Sequence, residues 1–276
     1  MFSFDAISSR GSSNQGTVPI AIVRDGKLKN EVIHMKRDPN IELKRGEFHD
    51  AIELTQDMGT LEVIPNADKD QRDLLYICGK SGSGKSVFTR SYVKNYLRAN
   101  PSHKCYIFSQ VESDKAFDDL KRCYRVIIDS EIVNEENGSC NIGTEELKNS
   151  LVVLDDVDTI SDKKILNAIY ELENRILETG RHFNIYMCRT SHLITNYKRS
   201  RTVLNEASKI VLFLNGCPSG STRNYLRSHQ GMNNKQINRL YGIKSRWIMI
   251  NNSFPSYVMS QHGIYDMKHL DDNEKN

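Results

Sequence analysis

From residue 79 to 86 the chain reads Gly-Lys-Ser-Gly-Ser-Gly-Lys-Ser, and Gly79, Gly84, Lys85 and Ser86 fill every fixed position of G-x-x-x-x-G-K-[ST]. The apolar run Leu74–Cys78 precedes it, and a helix-compatible segment, Val87–Leu97, follows. Strand, glycine loop and helix in that order make a phosphate cradle. The glycines let backbone N–H groups converge on one point, and the positive end of the helix faces the same point. The candidate nucleotide-binding residues are therefore Gly79, Lys80, Ser81, Gly82, Ser83, Gly84, Lys85 and Ser86. Lys85 is placed to reach the β- and γ-phosphates, and Ser86 to offer its hydroxyl to Mg²⁺.

A second motif completes such a site. Leu151-Val-Val-Leu-Asp-Asp156 is four apolar residues ending in two carboxylates. A buried strand of this kind delivers Asp155 to its C-terminal tip, the edge at which open α/β sheets bind ligands. Asp155 is the candidate metal residue beside Ser86. Asp156, one residue further, is the candidate base that orients and deprotonates a water, which favours a hydrolase over a kinase. The expected cofactors are ATP and Mg²⁺.

The rest of the chain fits an α/β sheet. Strands are expected at Lys104–Ser109, Tyr124–Ile128, Phe183–Cys188 and Lys209–Leu214, with helices at Ser113–Leu120 and Lys163–Glu178 between them. Gly180 reads as the C′ glycine that stops the second helix. This alternation predicts a mostly parallel sheet covered on both faces. Arg189-Thr190-Ser191-His192 runs out of the Phe183–Cys188 strand, so Ser191 or His192 would sense the γ-phosphate. A basic helical stretch, Thr222–Leu240, leads to strands at Arg246–Ile250, Tyr257–Ser260 and Ile264–Tyr265 that read as an antiparallel set.

Upstream, short strand-like segments at Val18–Val23, Val32–Met35, Ile41–Leu43, Ala51–Leu54 and Leu61–Ile64, with an Asp25-Gly26 turn, form a small β-rich region. The expected organisation is a flexible arm (1–16), that β-rich region (17–70), a P-loop domain (71–267) and a charged tail (268–276). Six cysteines without a C-x-x-C pair read as reduced residues, several of them in strands. A mean hydropathy of −0.55 and the lack of any long apolar run exclude a transmembrane helix, and no signal peptide is expected.

Net charge is only +3, yet its distribution is uneven. From Thr195 to Ile250 there are ten Lys and Arg against one acid, Glu206, with Tyr197, Tyr225, Tyr241 and Trp247 interleaved. Such a cationic third could track a phosphate backbone. Within it, Arg199 or Arg201 could project to a neighbouring subunit's nucleotide, and Arg201 is the preferred candidate.

Taken together, Gly79–Ser86, Leu151–Asp156, Gly180-Arg-His182 before a strand ending Thr190-Ser-His192, and Arg201–Ala207 before Ile210–Phe213 resemble the FtsK-HerA superfamily. Within it the chain is similar to the genome-packaging ATPases of large nucleocytoplasmic DNA viruses and their virophage relatives. The resemblance spans roughly residues 72 to 267. It implies a RecA-like ASCE fold and a homo-oligomeric ring, often a hexamer, around double-stranded DNA. It also implies Asp156 as catalytic base and Arg201 as an arginine acting in trans. Capsid vertex proteins would be further partners, in the virion or a viral factory in the host cytoplasm. The chain departs from the family pattern at His192, where many members carry Gln, and at Asp156, where Glu is commoner. The expected activity is ATP-driven translocation of duplex DNA into a capsid. An ATP-gated binding or assembly switch and a nucleotide kinase stand as the alternatives.

Overall fold

A computed structural model describes residues 1–5, 16–40, 43, 46–66, 71–195, 197–216 and 219–270, without the side chains of 197–199. The expected Ile41–Leu43 strand, most of the amino-terminal arm, Cys217, the Arg199 side chain and residues 271–276 lie outside this set. The chain forms two compact units, one of residues 1–64 with 218–276, the other of residues 65–217. By compactness, residues 218–267 therefore group with the amino-terminal segment, whereas the sequence reading joined them to the P-loop.

The first unit is antiparallel. Strands β1 (Phe2–Ser3), β2 (Thr17–Val23), β3 (Val32–Lys36) and β5 (Leu61–Val63) form a sheet in the order β1-β3-β2-β5. The β2–β3 connection turns at Asp25-Gly26. Gly26 has φ +76°, and a Cβ there would lie 2.6 Å from the Met58 carbonyl, so the turn requires glycine. β4 (Ala51–Glu53) pairs with a strand from the far end of the chain, described below.

The chain then enters the second unit through β6 (Leu74–Cys78), α1 (Lys85–Ala99), β7 (Lys104–Ser109), β8 (Cys123–Ile127) and β9 (Ser150–Leu154). It continues with α2 (Lys163–Thr179), β10 (Ile185–Ser191), α3 (Tyr197–Glu206) and β11 (Lys209–Leu212). The six strands are parallel, in the order β11-β6-β10-β9-β7-β8. β6, β9 and β10 are buried along their whole length, as strands covered on both faces must be. α1 buries Phe88, Tyr92 and Tyr96, and α2 buries Leu166, Ile169, Leu172 and Ile176, spaced three or four apart so that one face of each is apolar. β10 lies between β6 and β9, so three strand tips carry the two motifs and the polar run side by side. This is the ASCE arrangement that the resemblance implied.

Three local expectations are corrected. Ser113–Leu120 is a single turn and not a helix. Asp114 O accepts from Phe117 N and Asp118 N, while the Asp114 side chain takes Ala116 N and the Arg90 guanidinium takes Ala116 O. Side chains have captured the backbone groups that a helix would use. Gly180 is not a left-handed cap: its φ is −58°, it opens a 3₁₀ turn over Gly180–Phe183, and Asn184 at φ +54° makes the left-handed step. Glycine is needed there because a Cβ would lie 2.6 Å from Arg72 Nη1. That buried guanidinium donates to Ile176 O, Leu177 O and Ile185 O, closing the end of α2 against the start of β10. Phe183–Cys188 accordingly begins later as a strand, at Ile185, and runs on to Ser191.

The chain returns to the first unit as α4 (Ser219–Ser228), α5 (Asn234–Gly242), β12 (Ile248–Asn251), β13 (Tyr257–Ser260) and β14 (Gly263–Asp266). The single expected helix over Thr222–Leu240 is two. Gly231 at φ +65° breaks it, and Asn233 restarts it with a capping box to Gln236. β12, β13, β14 and β4 are successive antiparallel neighbours, the antiparallel set expected near the carboxyl end.

Candidate functional site

The loop after β6 is built as the motif requires. Gly82 and Gly84 have φ of +72° and +109°, conformations that side-chain-bearing residues rarely adopt, and Gly84 is the N-cap of α1. Gly79 is excluded from substitution by crowding: a Cβ would lie 2.5 Å from Ser83 Oγ and 2.9 Å from Phe213 Cβ. Gly79 N donates to Ser191 O at 3.1 Å, which ties the loop to the tip of β10. Lys80 and Ser81 are exposed, and Ser86 is half-buried in the first turn of α1.

Lys85 is only 6% exposed. Its ammonium donates to Gly79 O at 2.9 Å and lies 3.4 Å from Asp156 Oδ1 and 3.4 Å from His192 Nδ1. His192 Nε2 lies 3.2 Å from Asp156 Oδ2. One neutral tautomer satisfies both contacts, with the Nε2–H donating to Asp156 and Nδ1 accepting from Lys85. Lysine, aspartate and histidine thus close a triangle at the mouth of the glycine loop.

The carboxylates are held by a residue that the sequence reading did not single out. Thr190 is fully buried in β10, and its Oγ1 accepts from Asp156 N at 2.8 Å while lying 2.9 Å from Asp155 Oδ1 and 3.1 Å from Asp156 Oδ1. Its single proton serves one carboxylate at a time. Asp156 itself has φ +45°, a strained conformation for a non-glycine residue, and a 3₁₀ turn over Val157–Thr159 follows. Thr190 had one signal in the sequence, its place in the polar run that ends a buried strand.

Burial pushes the Asp155 carboxyl above its ordinary value, reinforced by Asp156 and Asp114 and opposed by Thr190 and Lys85. A carboxylate penalised by burial is one that a cation would relieve. Ser83 Oγ is buried without a hydrogen-bond partner among the described residues, a donor that a phosphate oxygen would satisfy. The residues present therefore fit a metal–nucleotide pair, with Asp155 and Ser86 at the cation and the loop at the phosphates.

Behind this face lies a buried ionic network. Arg189 pairs with Glu173 and donates to Asp158 Oδ1 at 2.6 Å, and its guanidinium lies 5.0 Å from the Tyr170 ring centre. Ser191 Oγ donates to Asp158 Oδ2 at 2.5 Å. Of the two expected sensors, His192 touches Lys85 and Asp156, while Ser191 is turned to Asp158. Arg201 is exposed on α3, and among the described residues it forms no ion pair with this group. The structure thus brings together Lys85, Asp155, Asp156 and His192, but not Arg201.

No family model matches the chain. It is 34% identical over 252 residues to uncharacterized protein V3 of Sputnik virophage, covering 91% of this chain and 96% of V3. Among solved structures, it is similar to the genome packaging NTPase B204 of Sulfolobus turreted icosahedral virus 2 in complex with ATP-gammaS. That similarity has a TM-score of 0.44 and 13% identity, over 70% of this chain and 98% of B204. It is also similar to the pCW3 conjugation coupling protein TcpA, with a TM-score of 0.46 and 15% identity, over 92% of this chain and 80% of TcpA. The kinship with virophage proteins that the motifs suggested is thus met by a full-length relative, and the chain belongs to the family of Sputnik virophage protein V3.

Proposed function

We propose that this protein is an ATP hydrolase whose turnover drives double-stranded DNA into a viral capsid. The observation that carries the hydrolase reading is the convergence of Lys85, Asp156 and His192 within 3.4 Å at the mouth of the glycine loop, with Asp155 tied to the same Thr190 hydroxyl. A switch protein that binds ATP without turning it over has no need of a second, strained carboxylate in that position.

Bound Mg²⁺ would neutralise charge on the β- and γ-phosphate oxygens. Ser86 and Asp155 would hold that cation. The backbone from Gly79 to Ser86 would bind the phosphates, and Lys85 would exchange its contact with Asp156 for the γ-phosphate. Asp156, released from Lys85 but still fixed by Thr190, would take the proton of an attacking water. His192 would report whether the γ-phosphate is present, since it touches both Lys85 and Asp156. Arg201, exposed on α3, would complete the site of a neighbouring subunit in a homo-oligomeric ring, where it would stabilise charge on the transferring group.

Kinship with a virophage protein supports a role in the virion or in a viral factory in the host cytoplasm; duplex DNA and capsid vertex proteins are the proposed partners. The cationic stretch from Thr195 to Ile250 supports sequence-independent contact with a phosphate backbone, as a motor that must pass any sequence requires. The test is steady-state ATP turnover of the full chain with no nucleic acid, with duplex DNA and with single-stranded DNA. Stimulation by duplex of any sequence, weakened by salt, is expected. Nucleotide binding without turnover would move the assignment to a switch, and turnover indifferent to DNA to a kinase.

A further inference from the structure

Between Glu206 and Asp266 the chain contains no Asp or Glu, and α4 and α5 lie within that stretch. Arg223 and Arg227, four residues apart, share one face of α4. Both reach across to α5. Arg223 Nη1 donates to Asn238 Oδ1 at 2.9 Å, and Arg227 Nη2 donates to Asn234 Oδ1 at 2.8 Å. The pairs form two rungs of an antiparallel ladder, about 6 Å apart along the helix axis. The Arg223 guanidinium also lies 4.4 Å from the Tyr241 ring centre.

The identity of the acceptors matters. A carboxylate at 234 or 238 would make the stronger, charge-assisted bond. An amide oxygen orients a guanidinium and leaves its charge intact. Among the described residues neither arginine is in an ion pair, and each has N–H donors beyond those its rung uses. Arg227 and Lys235 are exposed and Arg223 is half-exposed. The helix pair therefore presents fixed positive charge whose natural complement is a polyanion with regularly spaced phosphates.

Duplex suits it better than single strands. Binding of single strands uses aromatic rings on which bases stack. Here Tyr225 is 1% exposed and stacks on His229, and Tyr241 lies against the Arg223 guanidinium. Apart from the exposed His229 ring, what remains on offer is guanidinium and ammonium, which read backbone charge without sequence.

We propose that the Arg223–Asn238 and Arg227–Asn234 ladder is a contact surface for the phosphate backbone of double-stranded DNA. The inference rests on the packaging reading and adds to it the surface that grips the substrate. The experiment measures binding of a labelled duplex, and in parallel of single-stranded DNA and of RNA, to the full chain across a salt series, for the wild type, Arg223→Gln/Arg227→Gln and Asn234→Asp/Asn238→Asp, with melting temperatures alongside. The arginine variant is expected to lose at least about tenfold in affinity, with the slope of log affinity against log salt shallower by about 2. The asparagine variant keeps both arginines but neutralises them, and is expected to lose affinity while melting at or above the wild type. That combination separates loss of charge from loss of fold. Unchanged affinity and slope in both variants would overturn the assignment while leaving the packaging reading in place. Loss of single-stranded DNA or RNA binding alone would overturn it in favour of another nucleic acid. A wild type that neither binds duplex nor is stimulated by it would overturn the inference and the packaging reading together.

Discussion

Thr190→Val removes one hydroxyl and keeps the shape of the side chain, so it isolates the group that holds both carboxylates. The hydroxyl accepts from Asp156 N at 2.8 Å and donates to Asp155 or Asp156. Losing a hydrogen bond to a charged group costs about 1.5–3 kcal/mol, and leaving the Asp156 N–H without its acceptor costs about 1–3 kcal/mol more where water cannot reach. Asp156 is one-third exposed, so part of the second cost is recovered by solvent. The sum comes to about 3 kcal/mol, or a fall in melting temperature of roughly 6–12 °C for a chain of this size. Function is expected to suffer as well, because the base is held at φ +45° by this contact. A displacement of the order of 1 Å lowers turnover by up to about a hundredfold. Melting followed by circular dichroism and steady-state ATP turnover are the assays, with Thr190→Ser as the conservative control. A valine variant that melts within about 2 °C of the wild type and turns over ATP normally would refute the assignment of Thr190 as the hub, as would a serine variant no better than valine.

Four further outcomes follow from the geometry. Asp155 has its folded-state carboxyl raised by burial, so folding favours its protonated form. Its contribution to stability falls as pH rises from the unfolded value near 3.8 through the folded one. Asp155→Asn is therefore expected to melt at or above the wild type at pH 7 without nucleotide, yet to lose Mg²⁺-dependent turnover about a hundredfold or more. Gly180→Ala puts a methyl 2.6 Å from Arg72 Nη1 and displaces a guanidinium that closes three carbonyls. A loss of about 2–3 kcal/mol in a denaturant titration is expected, whereas Gly82→Ala, with open space around it but φ +72°, should cost about 1–2 kcal/mol. Asn233→Ala removes the capping box of α5 and should destabilise the protein by about 1 kcal/mol.

The parts of this fold that were legible in the sequence are those whose physics is local. The glycine loop, the buried apolar strand ending in two aspartates, and the alternation of strands with α1 and α2 each follow from residues within a few positions of one another. What escaped depends on distant partners. Gly180 looks like a helix cap until Arg72, far away in the chain, is seen lying against it. Ser113–Leu120 has helical composition, but Asp114 and Arg90 take its backbone groups. Thr190 was visible only as one polar residue among four, because its importance comes from β9 lying beside β10. The grouping of α4, α5 and β12–β14 with residues 1–64 comes from antiparallel pairings such as β4 with β14, whose register no short stretch announces. Arg201 is the converse case. It was singled out for a neighbouring subunit's site, and this chain's own fold leaves it exposed on α3.

The most direct test of the account is displacement of a third strand from a DNA triplex, followed during ATP turnover by the wild type, Lys85→Ala and Asp156→Asn. A DNA-translocating ATPase gives displacement that needs ATP and Mg²⁺, is lost in both variants, and does not depend on the sequence of the underlying duplex. ATP turnover by the wild type without displacement, or displacement by Asp156→Asn at the wild-type rate, would contradict it.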